Sequence, residues 1–277
     1  MTLFPPPLSL AISPCPNDTF AFHAWVHGLV PGAPAVTASY DDIDVLNQRA
    51  ATGEPQVVKV SYGALPWLLA DYELLPSGGA LGRGCGPLLL TRDGTLPAGT
   101  PVVAVPGERT TAYLLFRLWA AEVGVQVRIE IMPFDQIMPA VRDGLVDAGL
   151  VIHESRFTYP SFGLAAVTDL GEWWEAGTGL AIPLGAILVR RDVDALTVEV
   201  SVRASVELGL SDPAATRAYV RSHAQEMDDE VCRAHIGLYV NEFTVDLGEE
   251  GYAAVRGLLD RAAAAGLTPA VQIPSPG

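Results

Sequence analysis

The chain has 277 residues, of which 49% are apolar and 18% are charged, and its formal net charge is −15. This composition supports a sizeable core, in one large domain or two small ones. The negative charge argues against nucleic acid or an anionic membrane as a partner, whereas a small anionic substrate in a local cationic pocket is compatible with it. No apolar run reaches the roughly 20 residues that span a bilayer.

The N-terminus and the cysteines indicate the compartment. Residues 1–7 carry neither a basic segment nor a long apolar segment, so no secretion signal is expected. Cys15, Cys85 and Cys232 are far apart, odd in number and without metal-ligand spacing. These features predict a cytoplasmic protein without a disulfide framework.

Predicted strands and helices alternate from the N-terminus onward. Strands are predicted at 8–12, 36–40, 57–60 and 88–91, and helices at 19–29, 42–53 and 61–72. The glycine-rich segment 77–86 predicts a flexible loop, because no strand–turn–helix order frames its glycines as a dinucleotide site.

The second block of the chain continues this alternation. Strands are predicted at 102–105, 128–131, 148–152, near Val167 and at 186–190, and helices at 110–123 and 135–144. From Asp192 onward the sequence is mostly helical, with helices near 195–209, 213–226, 229–241 and 249–265.

The repeated alternation predicts an α/β fold with mainly parallel sheets in two lobes. Lobe 1 is expected to comprise 1–91 and 191–277, because the terminal helices need a core to cover, and lobe 2 to comprise 92–190. Ligands of such sheets bind beyond the carboxyl ends of the strands, so a cleft between the lobes is the expected site.

Four predicted strand ends carry polar residues at that position. They are the segments 13–19, 59–62, 106–111 and 153–156. The first two belong to one predicted lobe and the last two to the other, so we expect them to face each other across the cleft.

The first strand end runs directly into a helix. Asn17, Asp18 and Thr19 are all good helix caps, and the unpaired N–H groups of a helix start suit an anionic or hydroxylated ligand. Cys15 is either a nucleophile at the helix start or a small packed residue between two prolines.

Lys59 is the only lysine beside sixteen arginines. A GC-rich genome explains the arginines, so Lys59 is either incidental or marks a site that needs an ammonium group rather than a guanidinium group.

The two later strand ends carry further candidates. Thr110 either caps the helix that follows or, together with Thr111, offers hydroxyl and N–H groups to a carboxylate. His153 ends an apolar strand, and its imidazole titrates near neutrality. We interpret His153 as functional, with Glu154 or Arg156 tuning it; the alternative is a structural histidine.

His23 and His27 have the i, i+4 spacing of metal-binding helices. No glutamate lies between them and no other histidine or cysteine has ligand spacing, so we favour core or surface histidines and predict no metal site.

Five blocks, in this order along the chain, resemble one family. They are Ser13-Pro-Cys-Pro-Asn-Asp-Thr-Phe20, Lys59-Val-Ser-Tyr62, Gly78-Gly-Ala-Leu-Gly-Arg-Gly84, Val105-Pro-Gly-Glu-Arg-Thr-Thr-Ala112 and Ile152-His-Glu-Ser-Arg-Phe-Thr-Tyr159. Together they are similar to the 1,4-dihydroxy-6-naphthoate synthase family of the futalosine route to menaquinone.

This resemblance implies a type II periplasmic-binding-protein fold and a lyase reaction. The family converts cyclic dehypoxanthinylfutalosine into 1,4-dihydroxy-6-naphthoate and dihydroxyacetone, which requires neither a redox cofactor nor a metal. His153 matches the family's proton acceptor. The residues that match its substrate-contacting blocks are Lys59, Val60, Ser61, Thr110, Thr111, Asn17 and Asp18.

Two alternatives stay open at this point. A chorismate dehydratase of the same pathway shares the fold, although the blocks at Cys15 and His153 resemble the synthase better. A solute-binding protein of the same fold would have no chemistry, and the missing secretion signal argues against it. The sequence does not predict the oligomeric state.

Overall fold

The computed structural model describes residues 6–153, 155–224 and 228–274. The strands of this part of the chain are β1 (Leu8–Ile12), β2 (Val36–Tyr40), β3 (Val57–Ser61), β4 (Tyr72–Gly82), β5 (Leu88–Thr91), β6 (Val102–Val105), β7 (Arg128–Ile131), β8 (Ala148–Val151), β9 (Ala165–Asp169) and β10 (Ile182–Arg190). Within the described residues they form two sheets of five strands, ordered β2-β1-β3-β10-β4 and β7-β6-β8-β5-β9.

Helices occupy much of the remaining chain. They are α1 (Pro16–Val26), α2 (Ile43–Ala51), α3 (Leu65–Leu68), α4 (Thr111–Glu122), α5 (Phe134–Arg142), α6 (Ser155–Thr158), α7 (Leu170–Thr178), α8 (Ala195–Ser211), α9 (Pro213–His223), α10 (Asp229–Tyr239), α11 (Glu242–Val245) and α12 (Gly248–Ala264). Two 3₁₀ turns lie at Tyr62–Ala64 and Tyr159–Phe162. None of the described helices combines the length and the apolar character needed to cross a lipid bilayer.

The chain divides into two compact units. Unit 1 comprises the described parts of Met1–Val60, Trp67–Ala80 and Gly185–Gly248, and unit 2 those of Ser61–Pro66, Leu81–Leu184 and Glu249–Gly277. This division differs from the predicted lobes in that 61–66, 81–91 and the last helix group with unit 2, and 185–190 groups with unit 1. The reason is local: β5 pairs with β8 and β9, and Arg83 forms an ion pair of 2.8 Å with Glu250 at the start of α12.

Parallel pairing predominates among the strand pairs described next, as predicted, and the antiparallel pairs of β5 make its sheet mixed. β1 pairs in parallel with β2 and β3, and β6 with β7 and β8, as the alternation requires. β5 runs antiparallel to both of its neighbours, β8 and β9. Sequence periodicity reports which strands are buried but carries no information on the direction in which each is inserted.

The glycine-rich segment is the clearest departure from the predicted elements. Residues 77–82, predicted as a flexible loop, belong to β4, and the predicted helix 61–72 shrinks to a 3₁₀ turn followed by the single turn α3. A Cβ atom at Gly78, whose φ is +82°, would lie 2.6 Å from Val202 Cγ1. Gly78 therefore permits close packing and a left-handed backbone, rather than flexibility.

Helix α1 is buried along almost its whole length, which positions the first candidate site. The helix begins at Pro16, three residues before the predicted start, with Cys15 as N-cap and proline in the first helical turn. Phe22 and Trp25 pack with Val202 and its neighbours on α8. Ser205 of α8 donates its hydroxyl to the Ala21 carbonyl at 2.7 Å and accepts the Trp25 amide at 3.1 Å.

Unit 2 has a core of its own. Leu88 and Leu90 of β5 pack against Ile137 and Val141, which are spaced i, i+4 on α5. The predicted helix 213–226 ends in the structure at His223, and its last two predicted residues lie outside the described part of the chain.

Candidate active site

In unit 1, the turn from β1 into α1 is organised around the Asp18 carboxylate. Asp18 Oδ2 accepts hydrogen bonds from the hydroxyl and the amide of Ser13, at 2.7 and 3.2 Å. Asn17 Nδ2 donates to Asp18 Oδ1 at 2.9 Å. Asp18 is not the N-cap but lies in the first turn of α1, where negative charge complements the helix dipole.

Lys59 reaches the same carboxylate. Its Nζ lies 2.6 Å from Asp18 Oδ1, and the two side chains are 4% and 2% exposed. A buried pair of this kind is held by mutual attraction and by the additional hydrogen bonds on the carboxylate, because desolvation alone would disfavour both charges. The structure therefore brings together three of the predicted residues, namely Lys59, Asp18 and Asn17.

Val60 follows Lys59 in β3, and its side chain is fully buried. Its apolar side chain serves the core, so any contact it makes with a ligand would come from its backbone.

In unit 2, Thr110 and Thr111 open α4 as predicted. Thr110 is the N-cap: its hydroxyl accepts the Tyr113 amide at 3.1 Å and donates to the Gly107 carbonyl at 2.9 Å. The Thr111 hydroxyl accepts the Gly63 amide at 3.0 Å and donates to the Leu184 carbonyl at 2.9 Å. Both hydroxyl groups are thus engaged in hydrogen bonds within the protein. The backbone amide groups in the first turn of α4 are better donors to an anion than these hydroxyl groups.

Ser61 ends β3, two residues after Lys59, and is 2% exposed. Gly63, which binds Thr111, lies in the 3₁₀ turn that follows. The segment after β3 is therefore fastened to the start of α4.

His153 follows β8 in a left-handed conformation. Its φ of +55° makes it a positive-φ residue other than glycine within the described chain. Such a backbone costs free energy for most side chains, and strained conformations of this kind cluster at functional sites in proteins. The ring of Phe134 meets the imidazole edge-on, with 5.5 Å between the ring centroids. The imidazole is half-buried and packs against the Phe134 ring, an environment suited to proton transfer.

Of the two residues expected to tune His153, one is described: Arg156, whose backbone amide donates to the His153 carbonyl at 3.3 Å. The Arg156 guanidinium donates to the Gly86 carbonyl at 2.9 Å and pairs with Asp169 at 2.5 Å. Asp169 in turn caps α7. Arg156 therefore joins three segments of unit 2, and Glu154 lies outside the described residues.

His23 and His27 belong to an aromatic cluster. Their rings lie 4.5 Å apart and both contact Tyr219. Among the described residues, no three histidine, cysteine or acidic side chains are grouped so as to hold a metal ion.

All three cysteines are buried, including Cys15, for which the sequence left open a packed or a nucleophilic role. Cys15 serves as N-cap of α1 through its backbone conformation and is buried. Burial raises the pKa of the Cys85 thiol to about 12, which keeps it protonated near neutral pH.

One buried histidine of unit 1 escaped the sequence analysis. His235 of α10 is 1% exposed, and its Nε2 lies 3.0 Å from Asn17 Oδ1. In the sequence, His235 stands four residues before Tyr239, whose ring it contacts in the structure. Aromatic residues at i, i+4 are common in ordinary helices, so this spacing did not mark a site.

A family model described as menaquinone biosynthesis matches residues 8–264 of the chain. The chain belongs to the menaquinone biosynthesis family. Two curated members are similar along nearly their whole length, and both are called 1,4-dihydroxy-6-naphtoate synthase. The protein of Streptomyces coelicolor is 61% identical and that of Thermus thermophilus 49% identical, covering 95% and 94% of this chain and 95% of each relative.

Solved structures show the fold to which the chain is similar. Protein AF1704 of Archaeoglobus fulgidus is 33% identical, with a TM-score of 0.87 over 94% of this chain and 98% of that one. A Candida albicans protein with the generic periplasmic binding protein fold has a TM-score of 0.71 at 12% identity, over 99% of each chain. The predicted α/β fold of the periplasmic-binding-protein type is thereby confirmed for this member of the menaquinone biosynthesis family.

Proposed function

We propose that the protein is a 1,4-dihydroxy-6-naphthoate synthase, a carbon–carbon lyase acting on cyclic dehypoxanthinylfutalosine. The observation that carries this proposal is the 61% identity over 269 residues to the Streptomyces coelicolor protein of that name. The two sequence blocks at Cys15 and His153, which resemble the synthase better, support it over the dehydratase alternative. The sequence spacing of the three cysteines suggests no disulfide framework, which supports the cytoplasm as the place of action.

In this proposal, unit 1 binds the acidic end of the substrate. Lys59 supplies an ammonium group whose position is fixed by Asp18, and an ammonium group carries three N–H donors. Asn17 belongs to the same hydrogen-bonded group. A donor that is already immobilised costs little further ordering when it meets a carboxylate or a developing oxyanion.

Unit 2 supplies the base and a second set of donors. The start of α4 at Thr110 and Thr111 offers backbone N–H groups, and Ser61 a hydroxyl group. That these residues, Val60 and Lys59 contact one substrate molecule together with His153 remains a prediction.

The chemistry assigned to His153 is proton removal. As a neutral imidazole it takes a proton from a substrate hydroxyl group or from a carbon next to a carbonyl group. A carbon–carbon bond then breaks in retro-aldol fashion, dihydroxyacetone leaves, and the bicyclic product becomes aromatic. Aromatisation supplies much of the driving force, and a positioned base typically contributes about 10²–10⁴-fold in rate.

The test is product formation by the purified protein. Mixed with cyclic dehypoxanthinylfutalosine, it should release the naphthoate, followed by absorbance, and dihydroxyacetone, measured separately, in equal amounts. Chorismate under the same conditions should be left unchanged.

Two results would contradict the proposal. Consumption of chorismate with no naphthoate from the futalosine derivative would assign the dehydratase. Tight binding of the futalosine derivative without products would assign a solute-binding protein.

A further inference from the structure

His235 occupies a place in unit 1 where a polar ring is unusual. Its side chain is 1% exposed and lies on α10, more than 200 residues along the chain from its hydrogen-bond partner Asn17. The ring packs on Tyr239, with 4.5 Å between centroids. A buried imidazole needs a hydrogen-bond partner to offset the loss of water, and Asn17 provides one.

The direction of each hydrogen bond in this group follows from chemistry. An ionised carboxylate only accepts, so the group that Asn17 turns toward Asp18 Oδ1 is its Nδ2. The Asn17 Oδ1 atom then faces His235, and it too only accepts. His235 Nε2 must therefore carry the hydrogen and donate it across the 3.0 Å separation.

A continuous chain of donors results. His235 donates to Asn17, Asn17 donates to Asp18 at 2.9 Å, and Lys59 donates to the same Asp18 oxygen at 2.6 Å. Donation to Asp18 selects the orientation of the Asn17 amide, and the hydrogen bond from His235 holds the other end of that amide in place. Without a donor at 235, the buried Asn17 amide would lose one of these two hydrogen bonds and could move relative to Asp18.

We propose that His235 is a positioning residue, which holds the Asn17 amide in place and through it fixes the Asp18 carboxylate and the Lys59 ammonium group. The part of this proposal that concerns substrate rests on the proposed function of Lys59. The part that concerns the geometry of Lys59 stands without it.

The single lysine makes the geometry measurable. Protein labelled with ¹³C only at the lysine Cε gives one lysine signal, which needs no assignment. The variant His235→Phe keeps an aromatic ring against Tyr239 but has no donor, whereas His235→Gln keeps an N–H donor. We expect the Lys59 signal to shift in His235→Phe and to stay near the wild-type position in His235→Gln.

Kinetics supply the second measurement. For the futalosine derivative, we expect His235→Phe to raise KM about 10-fold or more with a smaller change in kcat, and His235→Gln to restore KM to within a few-fold of wild type. His27→Phe is the matched control, since His27 is an exposed histidine of the same unit that makes no contact with this group. It should leave the lysine signal in place.

The outcomes distinguish the positioning role of His235 from the substrate-binding role of Lys59. An unchanged Lys59 signal in His235→Phe overturns the positioning role. A shifted signal with unchanged KM supports the positioning role and overturns the substrate role of Lys59. If His235→Phe does not fold, Asn17→Ala breaks the same chain of donors and leaves the histidine ring intact; its lysine signal should also shift, and a wild-type signal would again overturn the proposal.

Discussion

A methyl group at Gly185 would lie 2.5 Å from Cε of Lys59. The lysine stem thus fills the space that any side chain at position 185 would require. We expect Gly185→Ala to lower the free energy of unfolding by about 1–3 kcal/mol, because overpacking forces the lysine or the strand to move. It should also raise KM for the futalosine derivative. Urea denaturation and steady-state kinetics measure the two effects.

Gly177→Ala is the control for this substitution. Gly177 lies in α7, and nothing stands within 4 Å of its added Cβ atom. Alanine favours helix over glycine by up to about 1 kcal/mol, so this variant should be unchanged or slightly more stable. If Gly185→Ala matched Gly177→Ala in both stability and KM, the tight fit around Lys59 would be refuted.

Removing the Lys59 charge alone should lower stability more than removing the Lys59 and Asp18 charges together. Lys59→Met leaves the Asp18 carboxylate buried without its cation, which typically costs about 3–5 kcal/mol of stability. The double variant Lys59→Met/Asp18→Asn removes both charges, and we expect it to be more stable than Lys59→Met. KM should rise in both. A double variant as unstable as the sum of the single variants would show that the two groups do not interact energetically.

His153→Asn should remove the imidazole while keeping the backbone conformation at position 153. Asparagine tolerates the left-handed conformation that His153 adopts, so the melting temperature should stay close to wild type. Turnover should fall by about 10²–10⁴-fold if the imidazole is the general base. His153→Val, which tolerates positive φ poorly, should lose stability as well. Near-wild-type turnover of the asparagine variant would remove the base assignment.

Two buried tyrosines give a matched test of hydrogen bonding. Tyr62 and Tyr72 are both fully buried, and burial raises the pKa of each phenol. Tyr72 donates to the Pro55 carbonyl at 2.7 Å, whereas the Tyr62 hydroxyl has no hydrogen-bond partner among the described residues. Tyr72→Phe should lower stability by about 1–3 kcal/mol, and Tyr62→Phe should leave it unchanged or raise it. Equal losses in chemical denaturation would contradict this reading of Tyr62.

His23 should make the protein less stable in mild acid. Burial, and secondarily the nearby His27, lowers the pKa of His23 below its ordinary value of 6.5. The unfolded chain therefore binds the proton first: the stabilisation is complete above about pH 6.5 and is lost as pH falls below it. We expect the fall in melting temperature between pH 7 and pH 5 to be smaller in His23→Gln than in wild type. Parallel curves would contradict the assignment.

Much of the fold could be predicted because burial leaves a clear pattern in the sequence. The strands at Leu8–Ile12, Val36–Tyr40 and Val102–Val105 have the predicted bounds, and Asp42 and Thr110 mark the starts of α2 and α4. The strand β4 could not be predicted, since glycine disfavours strands and the close contact with α8 that requires Gly78 is a tertiary property.

The candidate site shows the same division. The sequence placed Lys59 and Asp18 at two strand ends of the same lobe. It did not predict that the two side chains would form an ion pair with each other. His235 could not be found, because its role depends on a hydrogen bond across 218 positions of the chain. The helix-cap interpretation of Thr110, left open by the sequence, is confirmed by its hydrogen bonds to Gly107 and Tyr113.

Helix α1 is packed against a residue, Ser205, that is synthesised much later on the ribosome. The Ser205 hydroxyl fastens the backbone of α1 from a position 184 residues later in the chain than Ala21. At typical translation speeds, that interval lasts roughly 10–40 s. During it, the large apolar side chains of α1 have no partner helix to cover them, so the nascent protein should depend on chaperones until the segment carrying Ser205 emerges.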